Sequence, residues 1–144
     1  MKKYILVLMI CLLFGLSALA TSKILFQRSG IINENSQRES VYFIDIKKGH
    51  HELRYYFEVA TVEVKNNDRL EVTITSASFE PSIFIINPDG SYLDIKKIKK
   101  IKQGYRADFR AKGDGGLNLK FGSSTEIGSG PIKTGKYSLI VKKP

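Results

Sequence analysis

Cysteine is almost missing from this chain of 144 residues, with Cys11 the only one. It lies within MKKYILVLMICLLFGLSALA, which has a charged start (Lys2, Lys3), an apolar stretch from Tyr4 to Leu16 and a small-residue ending, Ala18-Leu19-Ala20. Those three parts make the pattern of a secretory signal peptide over residues 1–20, with cleavage expected after Ala20. The alternative is an uncleaved N-terminal anchor. Cys11 lacks the preceding Leu-x-Ala/Gly context of lipoprotein processing. With residues 1–20 removed no thiol remains, which excludes a disulfide, a thiolate metal site and a cysteine nucleophile. Stability then rests on core packing, and the length suits one cored domain rather than two.

Histidine is nearly as scarce: His50 and His51 are the only two, side by side in KKGHH. Adjacent side chains diverge, no G-x-S-x-G occurs, and a hydrolytic triad is not expected. The group His50, His51 and Glu52 reads as a solvated turn, with an opportunistic metal site as the alternative. Asp114 in KGDGG is a single carboxylate, short of the several oxygens of a calcium loop. Glu58, Glu63, Glu71, Asp94 and Asp108 offer material for a carboxylate pair, but their spacing selects no two. No catalytic residue, metal ligand or cofactor is assigned.

Acidic residues are also in deficit, 14 against 23 Lys and Arg, for a net charge of +9 that becomes +7 without Lys2 and Lys3. A basic exported surface favours anionic sugars, lipid headgroups and envelope polymers. Nucleic acid is not expected as a partner at that address, nor is stable membrane insertion after signal cleavage.

What is present is alternation. Residues 21–39 show no sustained period and read as an N-terminal arm, with Ile24 to Phe26 able to pair as a short strand. From residue 40 the period is two. VYFIDIK sets Val41, Phe43 and Asp45 against Tyr42, Ile44 and Ile46, and RLEVTIT sets Leu70, Val72 and Ile74 against Arg69, Glu71, Thr73 and Thr75. In LRYYFEVATVEVK the phase slips near Ala60 and Thr61, predicting a bulge or bend between two short strands. SIFIIN is apolar enough for a strand covered on both faces or central in a sandwich, NPDG at 87–90 is a tight turn, and SYLDI is a further strand. YRADFRA, LNLKFG and KYSLIVK complete about eight short strands over residues 40–144. These predict an all-β fold, an antiparallel β-sandwich of jelly-roll type.

Two stretches, SFEPSIFIINPDGSYL at 78–93 and KTGKYSLIV at 133–141, together resemble landmarks of the bacterial pre-peptidase C-terminal (PPC-like) domain family. They are similar to its buried strand with an Asn/Asp-Pro-Asp-Gly turn and return strand, and to its closing strand. The resemblance spans about residues 40–143 and implies a small secreted β-sandwich. The acidic cluster of that family's calcium binders has no counterpart in 21–40, where only Glu34 and Glu39 occur, and calcium is not carried over.

DIKKIKKIKQG, residues 94–104, breaks the alternation. As a helix its isoleucines at 95, 98 and 101 fall at steps of about 300 degrees within an arc near 120 degrees, lysine filling the remainder. One to two turns of cationic amphipathic helix near 95–102 are predicted, too short to anchor in a membrane. The segment is expected to cover one end of the core and, as a second role, to present Lys96, Lys97, Lys99, Lys100 and Lys102 to an anionic ligand. Tyr92 and Tyr105 are the nearest of several tyrosines able to stack on sugar rings or extended peptide. The function expected is therefore an exported, non-catalytic binding or adhesive module for a polysaccharide, a matrix protein or another envelope polymer. The alternatives are a structural subunit self-associating through an edge strand, and an enzyme using carboxylates brought together by the fold. The oligomeric state is left open.

Overall fold

The computed structural model describes residues 22–45, 49–126 and 129–144, and the side chains of 41–52 and 126 stand outside that description. The expected signal peptide, the Lys47-Lys48 part of the KKGHH turn, the expected facing of Tyr42 and the His50-His51-Glu52 side chains all lie outside the described residues.

Among the described residues nine strands form two antiparallel sheets. They are β1 (Lys23–Ile32), β2 (Gln37–Asp45), β3 (Gly49–Val64), β4 (Arg69–Thr75), β5 (Pro81–Ile86), β6 (Ile98–Ile101), β7 (Gly104–Arg110), β8 (Gly115–Glu126) and β9 (Gly135–Lys143). One sheet runs β1-β9-β4-β7-β6 and the other β2-β3-β8-β5, and they stack as an all-β sandwich. Alternation sends Leu70, Val72 and Ile74 of β4 and Tyr137, Leu139 and Val141 of β9 inward from one sheet. Ala60, Val62 and Val64 of β3 and Leu117, Leu119 and Phe121 of β8 meet them from the other. Full burial of one such aliphatic side chain contributes about 1.5–3 kcal/mol, and no disulfide is needed to hold the pair of sheets.

Four local expectations are corrected. β3 is one continuous strand with no register shift against β8, because Ala60, Val62 and Val64 keep a single phase and Val59 simply points to solvent, 44% exposed. β5 ends its sheet instead of lying at its centre, so the apolar run SIFIIN leaves Phe84 42% exposed on the outer face. SYLDI makes no strand; it contributes only the bridge between Tyr92 and Ile86. The helix expected near 95–102 is a single 3₁₀ turn at Ile95–Lys97 that runs straight into β6.

The residues expected as an arm carry a ten-residue edge strand: β1 pairs with β9 from Lys23–Lys143 to Ile32–Gly135, with one bulge between Ile24 and Phe26. The expected division at residue 40 falls inside β2.

Both ends of the sandwich are tied by side chains. At one end the NPDG turn closes through Gly90, φ +84, whose N–H donates to the Asn87 carbonyl, and buried Asn87 accepts from the Lys112 N–H. At the other end buried Ser76 joins three segments: its N–H donates to the Gln103 carbonyl and its hydroxyl to the Lys136 carbonyl, while its Oγ accepts from the Ser78 and Phe79 N–H groups.

Candidate functional site: the lysine edge beside β5 and β6

Beyond the NPDG turn the chain runs briefly along the free side of β5, with the Leu93 N–H donating to the Ile85 carbonyl at 2.8 Å. It then crosses from one sheet to the other. Asp94 caps the crossing: its Oδ1 accepts from the Lys96 N–H and its carbonyl from the Lys97 N–H, both at 2.9 Å. Ile98 returns to extended backbone, and β6 pairs with β7 through Ile98–Ala107, Lys99–Arg106, Lys100–Tyr105 and Ile101–Gly104.

The three-residue spacing of the isoleucines therefore serves a turn and a strand. A lone helix of this length is marginal, whereas four residues on β7 gain ladder hydrogen bonds and place Ile98 against the core. Mixed faces, which would disqualify a central strand, are tolerated because β6 is an edge. Lys100 shares the inward side with Ile98 yet escapes around the sheet margin, where its Nζ reaches Glu80 Oε1 at 2.8 Å.

Glu80 also accepts from the Tyr105 hydroxyl at 2.5 Å. Hydrogen bonds from Lys100 and then Tyr105 hold its carboxyl below the usual range, and the same contacts raise Lys100 and Tyr105 above theirs. Glu80 thus occupies one of the five lysines expected to bind ligand. Lys96, Lys97, Lys99 and Lys102 are exposed, and among the described residues none of them is within ion-pair distance of a carboxylate.

Between β5 and the crossing lies an apolar cleft of about 250 Å³, floored by Pro81 and Ile83 and walled by Phe84, Ile95, Ile98 and Tyr105. Ile95 is 78% exposed at its rim. Tyr105 joins the lysines here; Tyr92, 69% exposed, stands on the preceding stretch and does not line the cleft. The edge thus combines exposed cations, two aromatic rings and exposed apolar area, a set suited to holding a ligand.

Arg106 was not singled out from the sequence. It opposes Lys99 on the outer face of β7, and its Nε pairs with Asp108 Oδ2 at 3.2 Å. The alternation of YRADFRA marks Arg106 as outward, but only the β6–β7 register sets it beside a lysine. Of the five carboxylates considered for catalysis, Asp94 is engaged in its cap, Asp108 with Arg106 and Glu58 with the Tyr137 hydroxyl at 2.5 Å, while register sets Glu71 opposite Asp108 and Glu63 opposite Gly116. Among the described residues no three histidine or carboxylate side chains gather as a metal cradle.

The outer face of the four-stranded sheet carries aromatics already engaged with their neighbours. Tyr55 and Phe84 meet edge to face at 6.2 Å, and Lys120 pairs with Glu39 while lying 4.2 Å from the centre of the Phe57 ring. Burial lowers the Lys120 ammonium below its ordinary pKa.

No protein-family model matches this chain, and no curated protein matches it.

Proposed function

We propose that this protein is an exported, non-catalytic β-sandwich module that holds an anionic polysaccharide of the envelope or exterior on its lysine edge. The observation that carries the reading is the cluster Lys96, Lys97, Lys99 and Lys102, exposed and without carboxylate partners among the described residues, beside an apolar cleft. Four exposed cations within seven residues create a local positive potential that attracts an anionic partner. The signal-peptide pattern of residues 1–20 supports export, and the resemblance of 78–93 and 133–141 to the pre-peptidase C-terminal family supports a secreted domain without catalysis.

The test is a glycan and matrix-protein array read at physiological and at high salt, with the protein and with a variant carrying glutamine at 96, 97, 99 and 102. Binding to a subset of anionic glycans that weakens in the variant, without loss of folding, is the expected result. Equal signal on every polyanion, vanishing together at high salt, reduces the edge to unspecific charge attraction.

A second reading, self-association, is favoured by β1, a ten-residue edge strand with Ile24 and Ile31 about half exposed. A concentration-independent monomer in sedimentation would remove it.

A further inference from the structure

The outer face of the five-stranded sheet holds a second feature that joins the lysine edge. Register places Ser29 of β1 opposite Ser138 of β9, Ser138 opposite Thr75 of β4, Thr75 opposite Gly104 of β7, and Gly104 opposite Ile101 of β6. The first four members are small, and the Ser29, Ser138 and Thr75 part of the row lines an open trench that points across the strands toward buried Gly104 and β6. Gly104 is held bare, since a Cβ there would lie 1.9 Å from the Ile74 carbonyl oxygen. The open volume above the β1, β9 and β4 part of the row is about 490 Å³. Four interstrand steps of about 4.8 Å make the whole row roughly 19 Å long.

One wall is the neighbouring row, Gln27, Ile140, Thr73, Arg106 and Lys99, which ends on the lysine edge. The other wall is Ile31, Lys136, Ala77 and Gln103. Ser76 bonds to the carbonyls of Gln103 and Lys136, so this wall is fixed before any ligand arrives.

We propose that the trench is the seat of an extended anionic polysaccharide whose chain continues onto the lysines of β6; the proposal rests on the reading above that the ligand is an anionic glycan. The floor hydroxyls of Ser29, Ser138 and Thr75 both donate and accept, as sugar hydroxyls do. Ile31 and Ile140 offer apolar area to pyranose C–H faces. Lys136 and Lys99 supply cations for carboxylate or sulfate groups, Arg106 being paired with Asp108, and no Asp or Glu among the described residues lines the trench volume. A polyanion without rings would use the cations and leave the floor idle.

The experiment measures affinity by calorimetry for oligogalacturonides and heparin oligosaccharides, from disaccharide to octasaccharide, with inorganic polyphosphate as the ringless polyanion. The proteins are the wild type, the trench-filling variants Ser138→Phe and Ser29→Phe, each checked for unchanged unfolding temperature, and the variant with glutamine at 96, 97 and 102. Affinity for at least one glycan series should rise with length and then level off. Either trench-filling variant that remains folded should lower it about tenfold while leaving polyphosphate binding unchanged. Folded trench-filling variants that bind glycan like the wild type overturn the trench and leave the lysine edge standing. Loss in the trench-filling variants with none in the lysine variant overturns the lysine edge and leaves the trench. A wild type that binds polyphosphate but neither glycan series, or that binds none of the three, overturns the proposal.

Discussion

Replacing Tyr137 with phenylalanine isolates one polar contact inside the sandwich. Tyr137 is 4% exposed; its ring packs edge to face on Phe121 at 5.1 Å and fills the space left by Gly30, where a Cβ would come within 2.9 Å of the ring. All of that survives the substitution, and what is lost is the hydroxyl that donates to Glu58 Oε2 at 2.5 Å. A hydrogen bond to a charged acceptor contributes about 1.5–3 kcal/mol net. The Glu58 side chain is 31% exposed and has Arg28 Nη1 at 3.9 Å, so water and the guanidinium recover part of this. The expected cost is about 1–2 kcal/mol, read as a lower urea midpoint with an unchanged m value and as a Tm lowered by roughly 3–10 °C.

The same hydroxyl predicts an alkaline signature. Burial, and then the bond to Glu58, raise the Tyr137 pKa well above its ordinary 10.0. Folded Tyr137 therefore keeps a proton that the unfolded chain releases, so its contribution is complete below pH 10 and declines above it, by up to about 1.4 kcal/mol per pH unit. The phenylalanine variant lacks that decline, and the stability gap between the two proteins should narrow as pH climbs beyond 10. Equal stability at neutral pH, or a gap that stays constant through the alkaline range, would refute this account of the contact.

Two further outcomes follow from packing and charge. Leu119 is fully buried between Ala60 of β3 and Ile85 of β5, and Leu119→Ala should lower unfolding free energy by about 2–5 kcal/mol in urea titrations followed by circular dichroism; a loss below that range would mean the site collapses around the smaller side chain. Glu80 should titrate by NMR with a midpoint below 4.5, moving back up in Lys100→Gln, since the lysine is the larger of its two perturbing contacts; a wild-type midpoint at or above 4.5 would remove that ion pair.

Strands with one buried face were legible from their residues alone. In β4 and β9 the alternation of Leu70-Val72-Ile74 and Tyr137-Leu139-Val141 carries over unchanged, because a half-buried strand encodes its facing in its own period. The reading failed where facing depends on a partner. SIFIIN has the composition of a central strand, yet β5 is an edge, and nothing local distinguishes cover by another sheet from a solvent-facing phenylalanine. DIKKIKKIKQG has the spacing of a helix, but β7 offered a free ladder, and an edge strand tolerates lysine on both sides.

The candidate site divides in the same way. Its lysines and Tyr105 were visible as residues, since charge and composition are written locally. Which of those lysines remain free was not visible: Glu80 lies twenty residues before Lys100 and meets it only because β5 and β6 close the same side of the sandwich. The trench was hidden altogether, as Ser29, Thr75, Gly104 and Ser138 come from four strands and become a row only through register. What the sequence determined by itself is an all-β, basic chain with no thiol after residue 11, because period, charge and composition are sums over neighbours. What the tertiary structure decided is which cations are spent, which strand is an edge and which small residues align, because those follow from pairing between segments far apart in the chain.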